Sequence, residues 1–168
     1  MNGLYVRPEK KSEIGAIRRV HEASFVSPHE AALVDNLQAE GDGVLSLVAH
    51  FDGEVCGHVM FSRMKAIESR GLRVTALGPL AVLPEYRRRG VGTKLVSEGL
   101  EKLRLDGEDV VIVLGEPQFY GRFGFTTKAA QVFQTPYDGP YLQALALTEA
   151  GQQAEGLLRY ARAFSMMA

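Results

Sequence analysis

The stretch from Arg73 to Leu114 narrows the choice of fold more than any other part of this chain. It reads as an apolar run from Arg73 to Leu83, an amphipathic run from Gly90 to Asp106, and a second apolar run from Val110 to Leu114. Ala76, Leu77, Leu80, Ala81, Val82 and Leu83 crowd the first run, which predicts a strand covered on both faces. In the middle run Val91, Leu95, Val96, Leu100 and Leu103 recur at helical spacing while Lys94, Glu98, Glu101 and Lys102 fall elsewhere, and Gly107 ends it. Strand, helix, strand at this spacing predicts a parallel pair joined by a right-handed crossover. Gly78-Pro79 interrupts the first strand. Proline brings no N–H to a ladder and glycine weakens one, so a bulge, an edge or a gap in pairing is expected there.

Upstream, Gly3 to Arg7 reads as a short strand, followed by a helix from Ser12 to Phe25 with Ser12 as its expected N-cap. A second helix is expected from Pro28, with Ala31, Ala32, Val34 and Leu37 on its apolar side, ending at Gly41-Asp42-Gly43. Val44 to His50 and Glu54 to Ala66 are β-rich and joined through Asp52-Gly53, a strong hairpin signal. Downstream of Leu114, a helical or turn segment near Pro117 to Phe123, then Gln131 to Gln134 and Tyr141 to Leu147, read as a mixed finish; Glu155 to Phe164 is ambiguous between helix and strand.

With 168 residues and no linker or repeat, the chain is expected to form one domain, 1–168. An apolar fraction of 46% and a charged fraction of 23% are ordinary for a globular protein, and a net charge of −1 disfavours nucleic acid as a partner. No segment approaches membrane-spanning length, so no membrane partner is expected and the location is read as cytoplasmic. Cys56 is the single cysteine, which excludes an internal disulfide and leaves too few thiols for a cysteine-based zinc site. His21, His29, His50 and His58 show no paired ligand spacing, so no metal is implied.

Four physical facts converge between Arg87 and Thr93. This segment follows a buried strand and opens a helix, whose first amides have no internal partner and carry the positive end of the helix dipole. Gly90 and Gly92 let a bulky anion approach the backbone, and Arg87, Arg88 and Arg89 add charge and forked donors. A ligand with a pyrophosphate is expected. A P-loop is excluded because Thr93 separates Gly92 from Lys94, and a dinucleotide fingerprint because Leu95 stands where its third glycine belongs.

The spacing Arg87-x-x-Gly90-x-Gly92, after Leu83-Pro84-Glu85-Tyr86 and before an amphipathic helix, resembles the acetyl-coenzyme A motif of the GNAT N-acetyltransferase superfamily. Phe119-Tyr120-Gly121-Arg122-Phe123-Gly124-Phe125 is similar to the segment after the fifth strand in that superfamily, and the order of elements also agrees. The resemblance implies an α/β (α+β) GNAT acyltransferase fold, a central mixed, mostly antiparallel sheet that splits between strands four and five and is flanked by helices. It implies acetyl-coenzyme A as acyl donor and direct transfer, in a ternary complex, to an amine on a small molecule or peptide. A homodimer is compatible with it.

Carried over by resemblance, the donor site comprises Leu80, Ala81, Val82, Arg87, Arg88, Arg89, Gly90, Val91, Gly92, Thr93 and Tyr120. Main-chain N–H groups within Leu80 to Val82 would lie near the thioester carbonyl, and Tyr120 would be the general acid toward the coenzyme A sulfur. Glu116 is the nearest acidic residue to that strand end and the candidate base, although relatives often carry asparagine in that neighbourhood. An acetyl-cysteine intermediate at Cys56 is disfavoured, since free cysteine in an apolar strand usually behaves as a small buried hydrophobe. The acceptor side would involve Phe25 to His29 and Tyr137 to Tyr141. A noncatalytic acyl-coenzyme A sensor and a nucleotide-binding regulator are the alternatives that the same turn allows.

Overall fold

The computed structural model describes residues 3–167. β1 (Leu4–Pro8) leads through a 3-10 turn into α1 (Ile14–Ser24) and α2 (His29–Ala39), followed by β2 (Gly43–Phe51), β3 (Glu54–Ala66) and β4 (Val74–Val82). Next come α3 (Val91–Leu105), β5 (Val110–Leu114), the short α4 (Pro117–Tyr120) and α5 (Thr127–Ala130), and β6 (Phe133–Gln134). β7 (Leu142–Ala146), α6 (Glu149–Gln152), β8 (Gly156–Arg159) and a 3-10 segment, Arg162–Met167, complete it. The main sheet runs β1-β2-β3-β4-β5-β7, parallel only between β4 and β5. β8 joins the far end of β3 antiparallel, and two-residue β6 lies parallel to β8. Glu155 to Phe164, ambiguous by periodicity, thus contributes a short strand and then a turn of helix.

Asp52-Gly53 closes the β2–β3 hairpin with both φ values positive, 50° and 86°, matching the right-handed twist of the strands it joins. Two sequence expectations in the first helices are corrected. Ser12 lies inside the 3-10 turn Lys11–Glu13, and α1 is preceded by Glu13 as its N-cap residue. The Glu13 carboxylate is engaged by the Arg7 guanidinium, the Lys10 amide and His50. On α2 the buried side is Ala31, Leu33, Val34 and Leu37; Ala32 faces solvent because the larger Leu33 turns inward.

Alternation along β2 and β3 feeds two cores. Leu47, Ala49, Val59 and Phe61 face α3, while Val48 and Met60 face Ile17, Leu33, Val34 and Leu37 on the opposite side. α3 lies very close to β3. A Cβ on Gly99 would fall 2.5 Å from Phe61 Cε2, and one on Gly57 would fall 2.9 Å from Val91 Cγ1. These glycines let α3 settle directly against β3.

The anomaly at Gly78-Pro79 has two structural consequences. Register between β3 and β4 shifts there, from Val59↔Leu80 to Phe61↔Leu77, so that Gly78 and Pro79 together face Met60 alone, a bulge on β4. The β4–β5 ladder stops at Leu77↔Val113, whereas β5 continues beside β7 to Leu114↔Leu142. Beyond Leu77 the sheet is therefore open on the β5 side of β4.

Between α1 and β3, His21 Nε2 and His58 Nδ1 lie 2.8 Å apart in the interior, and His58 Nε2 lies 2.7 Å from Ser46 Oγ. Burial pushes His21 down to about 4 from its usual 6.5, and burial together with its neighbour holds His58 well below the same value. An unfolded chain binds protons at these residues near pH 6.5, while the folded pair refuses them until far more acidic. Stability is thus complete above pH 6.5 and declines as pH falls toward 4, by about 3 kcal/mol from His21 alone. Urea unfolding at pH 7.5, 6 and 5 checks this; a midpoint unchanged across that interval would show that the pair is not buried neutral.

Candidate active site

The turn after β4 is shaped by backbone conformation. Pro84–Tyr86 forms a 3-10 turn, Arg87 is extended, and Arg88 and Gly90 take left-handed φ values of 64° and 79°. Gly90 thereby acts as the N-cap residue of α3, a geometry glycine adopts without steric cost. The first helical bond runs from the Lys94 N–H to the Gly90 carbonyl at 3.0 Å. Val91, Gly92 and Thr93 precede it, so their amides have no intrahelical acceptor. All three line a cavity of about 580 Å³ together with Leu80, Ala81, Val82, Arg87, Arg88 and Gly90.

The three arginines separate. Arg87 stitches the strand end to the helical layer, its Nε donating to the Val82 carbonyl at 3.3 Å and its Nη2 to the Ser24 carbonyl at 3.5 Å. Arg88 borders the same cavity. Arg89 instead lies over the rings of Phe51 and Tyr86, 5.6 and 5.5 Å from their centroids, and is not part of the lining. Arg122, quoted in the sequence motif but given no role there, does line the cavity, with its guanidinium 5.0 Å from the centroid of the Phe119 ring.

Hydrogen bonding along β4 decides which main-chain groups face the opening. The Leu83 N–H donates to the Cys56 carbonyl at 2.8 Å, so Leu83 and Cys56 form a hydrogen-bonded antiparallel pair. Alternation then turns the Ala81 main chain toward His58 and the main-chain groups of Leu80 and Val82 away from β3, toward the split. The Val82 carbonyl confirms the direction, since it accepts from both Ser24 Oγ at 3.1 Å and Arg87 Nε. Of the three β4 residues assigned from sequence, Leu80 and Val82 have amides available at the cleft, and the Ala81 amide is taken up by the sheet.

A second cavity, of about 610 Å³, lies below the split and shares Phe25 and Leu80 with the first. Tyr120 lines this one, 9% exposed, with its ring edge-on to Phe119 and Phe125 at 4.9 and 5.8 Å. Gly115 makes room for it: a Cβ there would fall 2.4 Å from Tyr120 Cε2. Burial pushes the Tyr120 hydroxyl up to about 12, so it keeps its proton at any neutral pH. Burial likewise pushes the Cys56 thiol up to about 11, which leaves it a poor nucleophile.

Glu116 does not join Tyr120 in either cavity. It is exposed at the N-cap of α4, where its carbonyl accepts from the Phe119 and Tyr120 amides at 3.1 and 3.0 Å while its side chain caps nothing. Glu30, at the first turn of α2, is the carboxylate that borders the second cavity. Nothing in the local sequence around Glu30 marks it, because its place depends on how α2 packs across the sheet. Phe25 and Tyr137, within the segments expected on the acceptor side, do reach this cavity. Among the described residues, no group of three or more His, Cys, Asp or Glu side chains is arranged to hold a metal ion, and no helix is long and apolar enough to cross a membrane.

Comparison with known proteins agrees with this geometry. The sequence profile of the Acetyltransferase (GNAT) family matches residues 14–125. The chain belongs to the GNAT acetyltransferase family. It is 38% identical over 136 residues to the uncharacterized N-acetyltransferase YjhQ of Escherichia coli K12, a match covering 77% of this chain and 74% of that protein. The GNAT family N-acetyltransferase YhbS of Escherichia coli, solved in complex with coenzyme A, superposes with a TM-score of 0.90 at 32% identity, covering 98% of this chain and 93% of the other. A GNAT family acetyltransferase from Brucella melitensis, solved with acetyl-coenzyme A, gives a TM-score of 0.82 at 32% identity over 98% of this chain and 99% of the other. The open, largely antiparallel GNAT sheet, with its parallel β4–β5 pair and flanking helices, is thus the architecture that the family resemblance implied.

Proposed function

We propose that this GNAT protein transfers an acetyl group from acetyl-coenzyme A to an amine by direct attack, residues 1–168 acting as one acetyltransferase domain. The observation that carries this reading is the junction of the two cavities at Phe25 and Leu80, which gives an anion-binding turn and a separate, largely apolar chamber a shared point. The turn suits the donor. A Cβ on Gly90 would meet nothing within 4 Å, and one on Gly92 would stand among Phe119, Val82 and Leu80, so both glycines leave the cleft clear. The relatives solved with coenzyme A and acetyl-coenzyme A support the same assignment.

When bound, acetyl-coenzyme A supplies an acetyl thioester already activated toward amines. The amides of Val91, Gly92 and Thr93, with Arg87, Arg88 and Arg122, would hold its diphosphate. Arg89 clamps the turn onto Phe51 and Tyr86 instead. Leu80 and Val82 offer main-chain groups to the extended arm as a neighbouring strand would, and an N–H there donates to the thioester carbonyl oxygen, stabilising the charge that develops on it. Tyr120, neutral and proton-bearing, donates its proton to the departing sulfur. A primary amine arrives protonated, with a free pKa of about 10.4 in the case of lysine, and must lose that proton before attack. Glu116, exposed at the head of α4, could take it only through water.

Free-thiol release from acetyl-coenzyme A, measured over a panel of amines, tests the activity. Amine-dependent release above the rate without amine is the expected result. Tight coenzyme A binding with no amine-dependent release by any member of the panel would make the protein a noncatalytic acyl-coenzyme A sensor.

A further inference from the structure

The second cavity is distinctive in what lines it. Phe25, Tyr120, Tyr137, Tyr160 and Phe164 supply five aromatic rings, the last two from one C-terminal segment. Tyr137, Tyr160 and Phe164 form a continuous wall, with ring centroids 5.2 Å apart for the first pair and 4.9 Å for the second. Among the described residues, Glu30 is the only charged one in the lining. Its half-buried carboxylate accepts one hydrogen bond, from Ser27 Oγ at 3.3 Å. Among the described residues no arginine, lysine or histidine is paired with it.

A lone carboxylate beside an aromatic wall selects for one kind of guest. It attracts a single ammonium group, which aromatic faces also favour, and it repels a second negative charge. Aromatic and aliphatic walls gain from a flat apolar body and offer nothing to further cations, whose desolvation would go uncompensated. A cavity of about 610 Å³ has room for a ring and a short alkyl tether.

We infer that the acceptor is a monoamine with an apolar, ring-bearing body and no carboxylate, and that Glu30 holds its ammonium group. This rests on the acetyltransferase reading above and deepens it. Polyamines, which carry several charges along a thin chain, match neither the single carboxylate nor the width of the aromatic wall. Free amino acids place a carboxylate next to the amine and so face Glu30 with like charge.

The test compares 2-phenylethylamine, L-phenylalanine and spermidine as acceptors in the thiol-release assay, with the full chain and with Glu30→Gln. The wild-type protein is expected to prefer 2-phenylethylamine to L-phenylalanine by at least about tenfold in kcat/KM, and to spermidine by a similar margin. Glu30→Gln is expected to raise KM for 2-phenylethylamine about tenfold, to change kcat less, and to narrow the gap to L-phenylalanine, while coenzyme A affinity stays as in the parent. A preference for spermidine or L-phenylalanine, or an unaltered ratio in Glu30→Gln, overturns this inference and leaves the acetyltransferase standing. Thiol release that no amine of the panel raises above the rate without amine overturns both.

Discussion

Gly92→Trp is expected to weaken coenzyme A binding by at least about a hundredfold without unfolding the protein. The position lies in the first turn of α3, where a Cβ would point among Phe119, Val82 and Leu80, 3.5 to 3.9 Å from their nearest atoms. That space belongs to the cleft. A methyl group would fit, but an indole would occupy the volume in front of the Val91, Gly92 and Thr93 amides. Loss of two charge-assisted hydrogen bonds, each about 1.5 to 3 kcal/mol, corresponds to the stated loss of affinity. Glycine is among the poorest helix formers, so replacing it at a half-buried helical site opening onto a cavity costs the fold little. Isothermal titration with coenzyme A, alongside a thermal melt, separates the two effects. Parent-like affinity in a folded variant would move the donor site away from this turn.

Tyr120→Phe is expected to lower kcat by about a hundredfold and to leave KM for acetyl-coenzyme A within a small factor of the parent, the low end of what a positioned general acid contributes. The substitution removes one oxygen and keeps the ring that Phe119, Phe125 and the gap over Gly115 hold in place. Packing is therefore preserved, and a fall in turnover reports the hydroxyl. Because burial pushes that hydroxyl up to about 12, the parent rate should show no alkaline loss attributable to Tyr120 below about pH 10. Steady-state kinetics across pH 6 to 10, on parent and variant, is the check. A variant that turns over at the parent rate would take Tyr120 out of the chemistry and leave it as a wall of the acceptor chamber.

The arginines at the turn show how unevenly a short motif can be read. Left-handed backbone at Gly90 and the exposed amides after it follow from residues within a few positions of each other, and the sequence pattern suffices for them. Side-chain direction does not. Arg89 turns to Phe51 and Tyr86, and Phe51 ends a strand some forty residues earlier in the chain. Glu116 and Glu30 make the same point with carboxylates. Proximity to a strand end singled out Glu116, yet the short helix it heads turns its side chain to solvent. Glu30 enters the chamber because α2 packs over β4 from the other side of the sheet.

Local pattern therefore determined the order of strands and helices, the β2–β3 hairpin, the parallel β4–β5 unit, the irregularity at Gly78-Pro79 and the arginine–glycine turn with its free helix amides. Each depends on periodicity or on the backbone preferences of glycine and proline, which act over a few consecutive residues. Tertiary structure alone decided that Leu80 and Val82, not Ala81, present their amides to the split, that His21 meets His58 in the interior, and that five aromatic rings and one carboxylate enclose a single chamber. Those features are made of contacts between segments distant in the chain. Their geometry is set by the register between β3 and β4 and by which faces of α1 and α2 the sheet covers.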